Sequence, residues 1–415
     1  MAGYKRILKK HSTKVSILIF LGVGIFFLIN YYLAESFSFE YDSESIKNDT
    51  DYTDDISEEE VVVPPKMAPH VETPENVRSV YMTSWVAGTK SIREPLLKFV
   101  IDSDINAIVI DIKDYSGKVS FEMDSPLVNE AGSVEKRIGD IEGIIQYLHD
   151  NGIYVIGRVT VFQDPHITKI WPSEAIKTAT DTSAIWKDRK GLSFTDPGSK
   201  KIWDYHLEIA ENAYSVGFDE INFDYIRFPS DGDMKNIYFP YSEGKVKHEV
   251  INSFFTYINA ELEKYNPNVK TSADLFGMTT SNTDDLNIGQ IIEDALTTFD
   301  YVCPMVYPSH YPATWNGYAN PADNPYGVIH KSMSDGIKRA EAIGVSKDKL
   351  RAWIQDFDLG AVYTRSMVEA QIQALYDIGL YSYMVWDPSN VYTKDAFWTD
   401  LEKPLLDTED TSLQQ

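Results

Sequence analysis

The stretch GFDEINFDYIRFP, running from Gly217 to Pro229, decides the fold. After the opening glycine, apolar and polar residues alternate. Ile221 and Phe223 fall on one face of a strand, Asn222 and Asp224 on the other. Asp224 stands where the strand runs out, followed by Tyr225, Arg227 and Pro229. A carboxylate and a guanidinium are costly to bury at the end of a core strand unless they are paired or used. In a β/α barrel that rim is where the chemistry sits.

Outward from this stretch, short apolar or β-branched segments predict eight strands, at 78–85, 107–113, 154–162, 218–224, 270–276, 301–307, 350–356 and 381–386. Helical periodicity fills the intervals, for example at 138–149, 199–215, 245–264, 287–297, 328–342 and 365–378. Several helices run out at a glycine suited to a left-handed C-terminus, namely Gly152, Gly217, Gly344 and Gly379. Strands and helices alternating over 77–402 predict an α/β fold, a (β/α)8 TIM barrel with long loops. An open doubly wound sheet would carry a glycine-rich phosphate loop after its first strand, and residues 81–88 supply none.

The N-terminus is of another kind. Residues 15–33 form one apolar run, close to the roughly 20 residues that span a bilayer. Lys5, Arg6, Lys9, Lys10 and Lys14 precede it, which places a cytoplasmic basic tail at 1–14 and everything after 33 outside. The expectation is a transmembrane signal anchor in the cell membrane, with an extracellular domain at the cell envelope. Secretion after signal cleavage is the competing reading, but no good small-x-small cleavage site follows the run. Residues 34–76 are rich in Asp, Glu, Ser and Thr and read as a disordered acidic linker, and 403–415 as a flexible tail.

The formal net charge of −25 argues against nucleic acid as a partner, because phosphate binding needs a basic surface. It also opposes binding of an anionic polymer, unless a local basic cleft overrides it. The single cysteine, Cys303, rules out an intrachain disulfide. The chain's 26 Tyr and 8 Trp suit core packing or stacking on sugars.

The polar groups collect at the C-terminal strand ends. They are Asp111, Lys113 and Asp114 on strand 2, Arg158 on strand 3, Asp224, Tyr225 and Arg227 on strand 4, and Asp274 on strand 5. Tyr307 follows on strand 6, Trp353 and Asp356 on strand 7, and Trp386 and Asp387 on strand 8. The opposite strand ends show nothing comparable. One such carboxylate can simply cap a helix, whereas a whole rim of them with cations and aromatics points to a site. Asp224 and Asp274 end adjacent strands, so their carboxylates are expected about 5 to 10 Å apart, the spacing of a glycosidase acid and nucleophile or base. Arg227, Arg158 and Lys113 are candidates to hold one carboxylate ionised, while a drier setting raises the other. Trp386, Trp353, Tyr225 and Tyr307 offer faces for sugar. The 8 histidines form no His-x-His or His-Glu-x-x-His group, and His166 and His310 read as lone surface residues. No metal or cofactor is called for. No Gly-x-Ser-x-Gly elbow appears, which disfavours a serine nucleophile.

Four motifs in order, the opening stretch together with VIDIKD at 109–114, MVYP at 305–308 and MVWDP at 384–388, resemble a bacterial glycoside hydrolase domain family formerly of unknown function. That family is distantly related to amylase-like and chitinase-like TIM barrels, and the resemblance covers roughly residues 77–398. It implies a barrel acting on carbohydrate. By comparison with amylase-like enzymes, Asp224 falls at the strand-4 nucleophile and Asp274 near the strand-5 acid, as Asp rather than Glu. Asp356 or Asp358 would stand for the strand-7 carboxylate. Strand 4 is also similar to the family 18 chitinase motif, with Asp219, Asn222 and Asp224 at its acidic positions. Ile226, however, replaces that family's catalytic Glu, so the proton donor must come from elsewhere. The combined expectation is a membrane-anchored hydrolase of a cell-wall or matrix polysaccharide, with Asp224 and Asp274 catalytic. A non-catalytic carbohydrate-binding barrel is the alternative.

Overall fold

The computed structural model describes residues 67–397. The expected spans at 1–14, 15–33 and 34–66, and the tail at 403–415, lie outside them. No helix among the described residues is long and apolar enough to cross a membrane. Eight parallel strands close into a barrel: β1 (Arg78–Met82), β2 (Ala107–Lys113), β3 (Tyr154–Thr160), β4 (Glu220–Asp224), β5 (Lys270–Phe276), β6 (Tyr301–Met305), β7 (Ala352–Gln355) and β8 (Tyr383–Trp386). The connecting helices are α1 (Lys90–Asp102), α2 (Ile141–Asp150), α3 (Lys200–Ser215), α4 (Lys247–Tyr265), α5 (Ile292–Thr298), α6 (Pro325–Ala342) and α7 (Arg365–Asp377).

Alternation places these layers. In β4, Ile221 and Phe223 point outward and are fully buried. Phe223 meets Phe254 of α4 edge-on, at 6.3 Å between ring centroids. Deleting such a ring costs about 3–5 kcal/mol. Helix α3 shows why the outer layer forms. Ser199 caps it by accepting from the Ile202 amide, and Ile202, Tyr205, Ile209, Ala210 and Ala213 bury one stripe. The chain then turns at Gly217, whose φ of 113° suits glycine alone, and enters β4.

Most expected spans shift by one to three residues at an end, and two of the differences have a clear local cause. Strand 1 ends at Met82, because Thr83 caps a short helical turn at Ser84–Gly88. The helix expected from 287 begins at Ile292, since Leu286, Asn287 and Gly289 all take left-handed backbone.

The base of the barrel is more polar than its strand starts suggest. Glu220 of β4 pairs with Arg351 at 2.7 Å in the barrel interior, and the Tyr154 hydroxyl donates to Glu220. Removing one partner of such a pair would strand a charge at a cost of about 3–5 kcal/mol. Residues 67–76, read above as the end of the linker, lie against this base. The Val71 amide donates to Asp219 Oδ1 at 2.8 Å, and His70 stacks on Tyr214 at 3.9 Å. Asp219 also accepts from the Val155 amide, so this part of the strand-4 motif is structural.

Candidate active site

Register brings the polar residues to one level. Asp111 of β2 pairs with Arg158 of β3, Arg158 with Asn222 of β4, and Asn222 with Ser272 of β5. Paired residues in neighbouring strands share a face, so these side chains all enter the barrel. Above them a cleft of about 390 Å³ opens, a size suited to a small ligand or one or two sugar rings. Asp224, Asp274, Arg158, Arg227, Tyr307 and Trp386 all line it, as does Tyr225.

Arg158 organises the floor. Its Nη1 donates to Asp111 Oδ1 at 2.7 Å, and its Nε reaches Asp224 Oδ2 at 3.1 Å, with Nη2 in closer contact with the same oxygen. The same Nε lies 4.0 Å from Asp274 Oδ2. Asp224 Oδ2 and Asp274 Oδ2 therefore cannot be farther apart than the sum of those two distances, about 7.1 Å. Burial opposes the Arg158 cation, but Asp224 and Asp111 outweigh it and raise its pKa. Asp111 sits beneath the cleft, where the Tyr81 hydroxyl also donates to it, and burial raises its pKa.

Asp274 is held differently. Its Oδ1 accepts from Trp353 Nε1 at 2.7 Å and from Asn222 Nδ2 at 2.9 Å. Burial, and then the charge of Asp224, push its carboxyl well above the ordinary range. The result is a carboxyl group biased toward its protonated form beside a second one gripped by a guanidinium. Environments that separate two carboxyls in this way mark an acid and its partner.

The aromatic groups divide by role. Trp386 stacks on Tyr81 at 4.0 Å and presents its remaining surface to the cleft. Tyr307 lines the cleft with its pKa raised, first by burial and then by Asp274. Trp353 is fully buried, so it is no sugar platform and acts through its indole N–H instead. Tyr225 carries a φ of 53° directly after Asp224, a conformation costing a non-glycine residue about 1–3 kcal/mol. That turn aims Tyr225 into the cleft, while Ile226 is fully buried.

Besides Asp111 and Trp353, which lie beneath the cleft, four more expected site residues do not line it. A bulge in β2 sets Asp111 opposite Arg158 but Lys113 opposite Val159, so Lys113 turns outward. There it pairs with Asp164 at 2.8 Å, both side chains fully buried. Asp114 binds Arg137 at 2.6 Å. Asp356 accepts from the Thr393 amide and hydroxyl, each at 2.7 Å, and burial raises its pKa to about 6. Asp387 accepts from the Ser389 amide in the turn after β8. Asp358 likewise caps the Tyr363 amide, at 2.7 Å. In the other direction, His310 lines the cleft rather than standing alone, and its ring meets Tyr307 edge-on at 5.2 Å. Sequence reasoning passed over Tyr81, Phe276 and Tyr311. Only the pairing of β1 with β2 places Tyr81 over Asp111.

A closed eight-stranded barrel with these carboxylates at the C-terminal rim is an architecture of the glycoside hydrolase class. A family model described as "Putative glycosyl hydrolase domain" matches residues 79–392, and the chain belongs to this family. Among solved structures, a hypothetical protein from Ruminiclostridium thermocellum ATCC 27405 is 38% identical, with 47% of this chain and 96% of that one covered and a TM-score of 0.43. The PgaB (BpsB) glycoside hydrolase domain from Bordetella bronchiseptica is 14% identical, with 78% of this chain and 99% of that one covered and a TM-score of 0.57, a likeness of fold. No curated protein sequence matches the chain.

Proposed function

We propose that the cleft hydrolyses glycosidic bonds of a cell-wall or matrix polysaccharide, with Asp274 as proton donor and Asp224 as its partner carboxylate. The observation that carries this is the shared contact with Arg158 Nε, 3.1 Å from one carboxylate and 4.0 Å from the other. Asp274 gives its proton to the glycosidic oxygen as the bond to the anomeric carbon breaks. Asp224, gripped by the Arg158 guanidinium, meets the developing positive charge. The upper bound of about 7.1 Å leaves room for direct attack by Asp224, whose usual spacing is about 5–5.5 Å, and removes most of the wider inverting range of about 6.5–9.5 Å. Direct attack with retention is therefore the favoured course. A water then releases the sugar from Asp224, with Asp274, deprotonated in the first step, now acting as base and taking the water's proton.

The apolar run at 15–33, with its basic flank, supports anchoring at the membrane with the barrel outside the cell. Protease added to intact cells should then remove the barrel and leave the N-terminal segment protected.

The catalytic test uses a polysaccharide panel followed by NMR of the first-formed anomer. Asp224→Asn and Asp274→Asn should each lower turnover by about 10⁴-fold or more, and the wild type should release the retained anomer. A doubly substituted, folded protein that keeps its full cellular role would overturn hydrolysis and favour the carbohydrate-binding barrel.

A further inference from the structure

The two arginines of the cleft are not equivalent. Arg158 is neutralised by two carboxylates, Asp111 and Asp224. Arg227 forms no ion pair among the described residues. Its Nη1 donates to the Phe228 carbonyl at 2.9 Å and, more weakly, to the Ser230 hydroxyl at 3.4 Å. Nε and Nη2 make no hydrogen bond to a described residue, yet they are not among the buried orphan atoms, so they remain open to solvent in the cleft. The guanidinium lies over the Phe276 ring at 4.7 Å and near the Tyr225 ring at 5.5 Å, contacts that hold it in the cleft.

This arrangement is costly in the free protein. Burial lowers the Arg227 pKa, and Tyr225, Asp224, Asp231 and Asp188 compensate only in part. A partly desolvated cation without a counter-ion gains most from a ligand that brings one. A guanidinium with Nε and Nη2 both free, set beside aromatic rings, offers the fork of donors that matches a planar carboxylate or a phosphate. One further cation stands near the mouth: the Lys190 charge is felt at His310, whose pKa falls first through burial and then through that lysine, while the Asp188 and Asp231 charges are felt at Arg227.

We propose that Arg227 forms a subsite for an anionic substituent, so that the cleft takes a polysaccharide bearing carboxylate or phosphate groups rather than a neutral one. The inference rests on reading the cleft as the carbohydrate site, and it deepens that reading. It also reverses the expectation drawn from the net charge of −25, because the local cation meets the ligand where bulk charge is screened beyond about 10 Å.

The test titrates the full chain in detergent with glucose, glucuronic acid and glucose 6-phosphate, followed by ligand-observed NMR. At low salt the acids should bind about tenfold or more tightly than glucose, and the better of the two identifies the source of charge. Arg227→Gln should abolish the preference, with its melting curve as the folding control. Arg227→Lys should restore part of it, since a lysine keeps the charge and loses the fork. Equal binding of glucose and both acids, binding of neither acid, or a preference that survives Arg227→Gln would each overturn the subsite. If Asp274→Asn still destroys turnover in that case, the hydrolase reading stands without the subsite.

Discussion

Trp353 of β7 donates its indole N–H across the barrel interior to Asp274 of β5, at 2.7 Å. This bond favours the ionised carboxylate and so tempers the rise in Asp274's pKa, which burial and Asp224 impose. Trp353→Phe should remove it while keeping an aromatic ring at the position, with a melting curve to register the smaller side chain. The Asp274 pKa then rises further, and the alkaline limb of kcat/KM moves to higher pH. A neutral hydrogen bond worth about 1 kcal/mol corresponds to about half a pH unit or slightly more. A limb that stays in place or moves down would separate Asp274 from the acid role.

Arg158 bridges carboxylates that would otherwise repel. Arg158→Lys keeps one charge but cannot reach Asp111 and Asp224 together as the fork does. Turnover should fall on the order of 10²-fold through misplacement of Asp224. KM should change far less, because the sugar-facing surfaces of Trp386 and Tyr307 are untouched. A large KM effect with normal kcat would mean that Arg158 binds substrate instead.

The buried pair of Lys113 and Asp164 separates structure from function. Lys113→Met leaves Asp164 without its cation and should destabilise the fold by about 3–5 kcal/mol, read by denaturant melting. Turnover per folded molecule should be nearly unchanged. Lys113→Met combined with Asp164→Asn should recover much of the loss. A selective loss of turnover in a stable Lys113→Met protein would put Lys113 back among the substrate-binding groups.

Lys113 also shows where sequence reading reaches and where it stops. The alternation in β4 was legible because period two is a local property, and it placed Asn222 and Asp224 inward correctly. Lys113 was grouped with Asp111 as a polar residue at the end of strand 2, and a single bulge turned it away. Nothing in the residues 109–114 announces that bulge. Trp353 was visible as a rim aromatic, but its partner lies 79 residues away, and only closure of the barrel brings the indole to Asp274. Asp356 and Asp387 were misplaced for another reason. Each stands at a strand end, yet a loop amide, from Thr393 or Ser389, claims its carboxylate. Such turns depend on loop conformation that no periodicity encodes.

Asp356 yields a stability prediction with a definite sign. Its folded pKa of about 6 lies above its unfolded value near 3.8, raised by burial against the hydrogen bonds from Thr393. Between those values the folded state holds more of this proton than the unfolded chain. The contribution of Asp356 to stability is therefore full below about pH 4 and is lost as pH rises through about 6. The magnitude is on the order of 1–3 kcal/mol. Asp111, Asp274, Asp294, Asp387 and Glu211 are raised as well and act with the same sign, so the wild-type slope belongs to all of them and only the difference between wild type and variant isolates Asp356. Asp356→Asn removes one titration while its amide oxygen can still accept from the Thr393 amide. Denaturant melts of wild type and variant from pH 4 to 7 should converge in acid and separate toward neutrality, with the variant the more stable. Parallel curves across that window would show that Asp356 titrates as an ordinary surface carboxylate and that its burial against Thr393 has no energetic weight.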